Sequence, residues 1–211
     1  MQKTSISESV IRRLPRYYRF LSALESIGQE RISSKELAEQ LGLTASQIRQ
    51  DLNCFGEFGQ QGYGYNVSAL RKQLKIIIGL ERKRPAIIVG AGNLGKVIAA
   101  NIDFASFGFR LSGIFDIDYE ICGKEIAGFT VKHMSELVPF CQKEKPFIAV
   151  LCIPQEAAQE TADILIALGI KGFWNFSHCD LNADPEVIQV ENVHLDDSLM
   201  RLSYRVTKDN E

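Results

Sequence analysis

Six consecutive residues, Gly90-Ala91-Gly92-Asn93-Leu94-Gly95, carry glycine at the first, third and sixth places of a G-x-G-x-x-G run. Glycine at these places permits a tight turn, lets backbone approach a diphosphate, and lets a helix pack closely on a strand. Asp116 stands 21 residues past the last glycine. A carboxylate at that distance accepts hydrogen bonds from ribose hydroxyls and repels a 2′-phosphate. Ile117, not an arginine, follows it. The expected ligand is therefore NAD(H) rather than NADP(H), with Gly90, Ala91, Gly92, Asn93, Leu94, Gly95, Asp116 and Ile117 around it.

A second set of residues has the chemistry of nucleic-acid contact. Ser46, Gln47, Arg49, Gln50 and Asn53 interleave with the apolar Ile48 and Leu52. Arginine reads guanine edges, and Gln or Asn reads adenine. Arg12, Arg13, Arg16 and Arg19 cluster upstream, and Gln61-Gly62-Tyr63 forms a small, flat, polar tip suited to a minor groove. An amphipathic helix with a solvated face is the plain alternative.

The elements that must position these residues are well punctuated. Val10, Leu14, Tyr17, Leu21 and Leu24 predict a helix over residues 10–27, with Pro15 marking its effective start. Ser33 to Glu36 fits a capping box, Gly42 a helix stop, and Thr44 to Gln47 a second capping box. Two short helices so joined make a helix-turn-helix, the second running from Ala45 to about Phe55. Residues 55–67 alternate aromatics with glycine and predict a β-hairpin, the wing of a winged helix. A helix over residues 68–80 and a charged run ending at Pro85 close this domain.

Beyond it, β-branched and apolar runs at 86–89, 111–115, 129–131, 147–152, 172–176 and 187–190 alternate with helical stretches at 94–105, 134–142 and 155–168. That alternation predicts a parallel, Rossmann-like sheet. Ligands in such sheets lie at the carboxyl ends of strands. Ile153, Pro154, Asn175 and Phe176 are thus candidate walls, with core packing an equal alternative. A last helix, about residues 196–206, carries the stripe Leu195, Leu199, Leu202 and Val206, to be buried on its own domain or on a partner subunit. The expected fold is α/β: a winged-helix domain at 1–84, a Rossmann domain at 85–195 and a C-terminal helix at 196–211.

Composition bounds the reading. Among 211 residues, 45% are hydrophobic and 24% charged, as in ordinary globular proteins. No apolar run reaches the roughly 20 residues needed to span a bilayer, and the N-terminus lacks a signal-like apolar stretch, so a cytoplasmic protein is expected. Residues 1–84 hold 14 Lys and Arg against 8 Asp and Glu, while the remainder hold 10 against 18. A basic first part suits a polyanionic partner. The five cysteines are odd in number and scattered, which disfavours a disulfide framework or a metal site and leaves reduced thiols as the simplest state.

Several of these segments together resemble the Rex family of redox-sensing transcriptional repressors. They are residues 13–18, Ser46 to Leu52, residues 55–59 and 62–65, the Val89–Gly95 loop and Asn175-Phe176. The resemblance implies a homodimer with swapped C-terminal helices. It implies binding to a palindromic operator when NADH is scarce, and release when NADH binds. Three positions depart from the pattern. A Tyr and an Asp of the family's sensing network correspond to Asn101 and His194, with Arg16 or a neighbour as third member. Gln50 also replaces a usual Lys or Arg. Rival readings are an NAD-dependent dehydrogenase, for which the roughly 115 residues after the loop leave no substrate domain, and a CoA- or nucleotide-binding module.

Overall fold

The computed structural model describes residues 6–56, 58 and 63–208. The chain forms two compact units, Met1–Glu81 and Arg82–Glu211.

In the first unit, α1 (Glu8–Ser26) runs unbroken through Pro15. The expected start at Pro15 is thus corrected. An interior proline costs roughly 3 kcal/mol. Val10, Leu14, Tyr17, Leu21 and Leu24 are all buried along one stripe, and each contributes about 1.5–3 kcal/mol. The stripe outweighs the proline, whose own ring lies on the exposed face. After β1 (Arg31–Ile32), α2 (Ser34–Leu41) begins with both halves of the Ser33–Glu36 capping box and ends on Gly42 at φ 65°. Next, α3 (Ala45–Asn53) starts at Thr44, whose hydroxyl accepts from the Gln47 N–H at 3.2 Å. The return bond of the second expected capping box does not form, so that box is half made.

Of the expected hairpin, residues 57 and 59–62 lie outside the described residues. Its far strand, β2 (Tyr65–Asn66), pairs antiparallel with β1, Ile32 opposite Tyr65. Gly56 and Phe58 are not in a strand, and Gln61 and Gly62 lie outside the described residues. The Asn66 side chain then caps α4 (Val67–Ile78). Tyr17, Leu21, Leu37, Ile48, Leu52 and Leu74 form the core of this unit.

The second unit is a seven-stranded sheet built from β3 (Arg84–Val89), β4 (Phe109–Asp116), β5 (Glu125–Ile126), β6 (Phe129–His133), β7 (Ile148–Leu151), β8 (Gly172–Asn175) and β9 (Gln189–Asn192). Its order is β5-β6-β4-β3-β7-β8-β9, all parallel except the short β5 at one edge. The helices are α5 (Asn93–Asn101), α6 (Leu137–Glu144), α7 (Gln155–Ala167) and α8 (Leu195–Lys208). Ile87, Val89, Phe115 and Leu151 pack into one core, and Ile88, Ile114, Val131 and Val150 into another. Burial in two cores explains why these strands read as unbroken apolar runs.

Two boundaries and one strand differ from expectation. α5 stops at Asn101, because the Asp103 carboxylate accepts the Ala105 N–H and starts a separate turn. The last strand begins at Gln189, since the N–H groups of Val187 and Ile188 are committed to Asp184 O in a turn. The two-residue β5 has no apolar pattern to announce it. Among the described residues no helix is long and apolar enough to cross a membrane.

Candidate nucleotide and nucleic-acid sites

The strand order reverses at β3, which has β4 on one side and β7 on the other. The glycine loop leaves the carboxyl end of β3 at this crevice, the usual place for a ligand in an open α/β sheet. Gly90 donates to Phe115 O at 2.8 Å, and Cys152 donates to Val89 O at 2.8 Å. Gly90 has φ 98°, and a Cβ there would collide with Cys152 O. A Cβ on Gly95 would collide with Gly90 O. These two glycines are demanded from within the protein. Gly92 is different: a Cβ there meets nothing within 4 Å. The chain leaves open space beside its backbone, at the N-cap of α5, where no side chain caps the helix. Unsatisfied N–H groups at a helix start attract phosphate. The loop therefore has room and donors for a diphosphate.

Asp116 does more than the ribose role expected of it. One carboxylate oxygen accepts the Ala91 N–H at 2.6 Å and the other accepts the Asp118 N–H at 2.9 Å. It thus ties the glycine loop to the end of β4, and each oxygen keeps a further lone pair for a ribose. Asn93 and Ile117 are exposed beside the crevice, and Leu94 is half-buried. Ile153 is half-buried against Gly90, and Pro154 is exposed at the N-cap of α7.

Asn175 is placed otherwise than as a ligand wall. It is buried, and its amide donates to Cys179 O at 2.6 Å and Asn192 Oδ1 at 2.8 Å. Its Oδ1 accepts from the N–H and hydroxyl of Ser177. That amide is spent on shaping the loop after β8. Phe176 stands edge-on to Trp174, centroids 4.8 Å apart. One feature of the crevice rim was not expected from sequence: the exposed Tyr119 ring stacks on His133 at 4.2 Å, and His133 pairs with Asp116 across β4 and β6. Burial pushes the Cys152 thiol up to about 12 and Cys141 up to about 11. Burial, then the neighbouring carboxylates of Asp116, Asp118 and Glu136, raises Cys122 as well. These three thiols stay protonated at neutral pH.

In the first unit, α3 buries Ile48 and Leu52 and exposes Ser46, Arg49, Gln50 and Asn53, with Gln47 half-buried. Arg49 donates to Ser34 Oγ at 3.0 Å, and Tyr63 is exposed. The upstream arginines are not equivalent. Arg12 pairs with Glu8 at 3.1 Å in the open, and Arg16 donates to Leu41 O at 2.8 Å. Arg13 turns inward. Its Nε and Nη2 donate to the two oxygens of Asp51 at 2.6 and 2.9 Å, and the Tyr17 hydroxyl donates to Asp51 at 2.5 Å.

Burial opposes ionisation of Asp51, but the hydrogen bonds from Arg13 and Tyr17 and the charge of Arg13 hold its carboxyl below the usual range. Burial and the bond to Asp51 raise the Tyr17 hydroxyl, and the bond to Asp51 raises the Arg13 guanidinium. Sequence reading missed Asp51 and Tyr17 as polar groups. The available signal was an acid on the core-facing stripe between Ile48 and Leu52, which requires a partner.

On α8, Leu195, Leu199 and Leu202 are more than half exposed, so this stripe is not buried on its own unit. His178 faces Asp196 at 3.9 Å and His194 faces Asp180 at 3.7 Å, bringing the loop after β8 to the start of α8. Asn101 is exposed and bonds back to Val97 O.

Comparison with known proteins agrees with both units. A family model described as "Putative DNA-binding protein N-terminus" matches residues 5–53, and one for a CoA binding domain matches residues 81–179. The chain is similar to the redox-sensing transcriptional repressor Rex of Thermoanaerobacter pseudethanolicus (strain ATCC 33223 / 39E), 51% identical over 99% of this chain and 92% of that one. It is 48% identical to Rex of Clostridium novyi (strain NT), over 96% of each chain. Among solved structures, RSP in complex with β-NAD+ and operator DNA superposes with a TM-score of 0.92 at 50% identity, over 98% of this chain and 95% of that one. RSP with β-NADH gives 0.90 at 47%, over 98% and 97%. With a helix-turn-helix on one unit, a dinucleotide loop on the other, and such identity along nearly its whole length, the chain belongs to the Rex family of redox-sensing transcriptional repressors.

Proposed function

We propose that this chain is a cytoplasmic homodimer that binds inverted-repeat operator DNA when NADH is scarce relative to NAD+ and leaves it when NADH binds. It carries out no catalysis, and it holds no metal. α3 presents Ser46, Gln47, Arg49 and Gln50 to base edges, with Gln61, Gly62 and Tyr63 reaching the adjoining groove and Arg12 and Arg16 at the backbone. The glycine loop, Asp116, Ile117, Ile153, Pro154 and Phe176 surround the nucleotide, which supplies the redox signal. The exposed stripe of α8 is covered by the second subunit.

The observation that carries this reading is RSP, 50% identical and alike in fold, solved both with β-NAD+ on operator DNA and with β-NADH. For NADH to act as the signal, it must bind the DNA-free arrangement more tightly, and DNA must weaken NADH by the same factor. A gel-shift titration of an inverted-repeat operator tests this. NADH releases the DNA, whereas NADPH at equal concentration does not. Release indifferent to the cofactor overturns the sensor.

A further inference from the structure

Arg13 lies in a run of arginines that would ordinarily all be assigned to the DNA backbone. Its guanidinium is not presented as theirs are. The side chain is 18% exposed and its partner Asp51 only 4%. The two groups meet in the bidentate geometry that Arg alone among the basic residues provides. Asp51 sits on α3 between Ile48 and Leu52, facing away from the exposed Ser46, Arg49, Gln50 and Asn53. Tyr17, one turn beyond Arg13 on α1, donates to the same carboxylate. The helix that would read DNA is therefore pinned from behind by two residues of α1, 38 and 34 positions away in the chain. Apolar contacts at Ile48 and Leu52 hold α3 in the core, and the two-pronged ion pair with a third hydrogen bond adds directional ties that fix its rotation about the axis.

We infer that Arg13 is a positioning residue for operator recognition, fixing the rotation of α3 through Asp51 and making no phosphate contact itself. This rests on the proposed reading of α3 as the DNA-reading helix. It also removes Arg13 from the set of backbone-contacting arginines expected from sequence, leaving Arg12 and Arg16 there.

The two roles separate experimentally. A phosphate contact is sequence-independent, and losing it lowers the slope of log K against log salt by about 0.9 per phosphate. A positioning residue carries no counterion release, but its loss degrades the alignment of every base contact. Operator and scrambled DNA are titrated across a salt series with the full-length protein, wild type, Arg13→Lys and Arg13→Met. Wild type must first prefer the operator; if it does not, the reading of α3 itself fails and not this inference. Given that preference, both variants are expected to keep the wild-type salt slope while the ratio of operator to scrambled affinity falls by about tenfold, the scale of one misread base pair.

Arg13→Lys is the sharper variant, because a lysine keeps a phosphate contact but cannot reproduce the fork to Asp51. A reduced salt slope in Arg13→Met, or an unchanged specificity ratio in Arg13→Lys, overturns the inference. If Arg13→Met does not fold, the double variant Arg13→Met/Asp51→Leu leaves no unpaired buried charge. The same slope and ratio are then read from it, with the same outcomes deciding.

Discussion

The glycine loop and the α3 platform solve the same problem, holding a binding surface rigid, by opposite means. The loop of the second unit is fixed by what is absent. Gly90 and Gly95 let backbone meet backbone where any Cβ would collide with Cys152 O or Gly90 O. The remaining ties are backbone N–H groups given to Phe115 O and to the Asp116 carboxylate. The platform of the first unit is fixed by what is present: a half-buried guanidinium, a buried phenol and a buried carboxylate joined behind α3. At Gly90 and Gly95 the loop tolerates no added atom. A site made of paired side chains tolerates no missing partner. The two units should therefore fail under different substitutions.

The largest effect expected is at Gly95. Alanine there places a methyl against the Gly90 carbonyl, a backbone atom that cannot swing aside. Overpacking typically costs about 1–3 kcal/mol, occasionally more, and a collision with an immovable backbone atom belongs at the upper end. Thermal unfolding of Gly95→Ala should show the second unit strongly destabilised, with NADH binding lost. A variant melting with wild type would mean that the loop relaxes, and the contrast between the two units would weaken.

Gly92→Ala should separate folding from binding. Its backbone, at φ −67° and ψ −166°, suits any residue, and its Cβ would meet nothing within 4 Å. Apo stability should stay within about 0.5 kcal/mol of wild type, while NADH affinity, measured by calorimetry, falls at least about tenfold through contact with the diphosphate. Unchanged affinity would place the diphosphate elsewhere.

The same contrast governs how much could be read from the chain. The loop was legible because glycine spacing reports backbone geometry directly, and its strand–turn–helix context came with it. The helix-turn-helix was legible at Ser33, Glu36 and Gly42 for the same local reason. The Arg13–Asp51 pair joins residues 38 apart, and nothing local distinguishes Arg13 from Arg12 or Arg16. Pro15 misled for a related reason: its cost is local, whereas the burial that overcomes it belongs to the whole domain. Asn175 looked like a ligand wall because strand ends usually supply one, but its amide is used up by Ser177, Cys179 and Asn192.

Acid should sharpen the comparison from the side of the platform, with the smallest effect of the three. Asp51 has a folded-state carboxyl held below the ordinary aspartate value of 3.8. A depressed carboxylate contributes stability that is fully present above its unfolded value and is lost as pH falls through its folded one. Glu36, bonded to Ser33 in the capping box, is depressed too and adds to the same trend. Stability of the first unit should thus be level near neutrality and decline as pH drops below about 4, with urea unfolding followed at each pH. Replacing the pair by Arg13→Met/Asp51→Leu removes the contribution of Asp51 and leaves that of Glu36. The acid loss in the double variant should be smaller than in wild type but not absent. Equal losses would show that the buried pair adds no acid linkage.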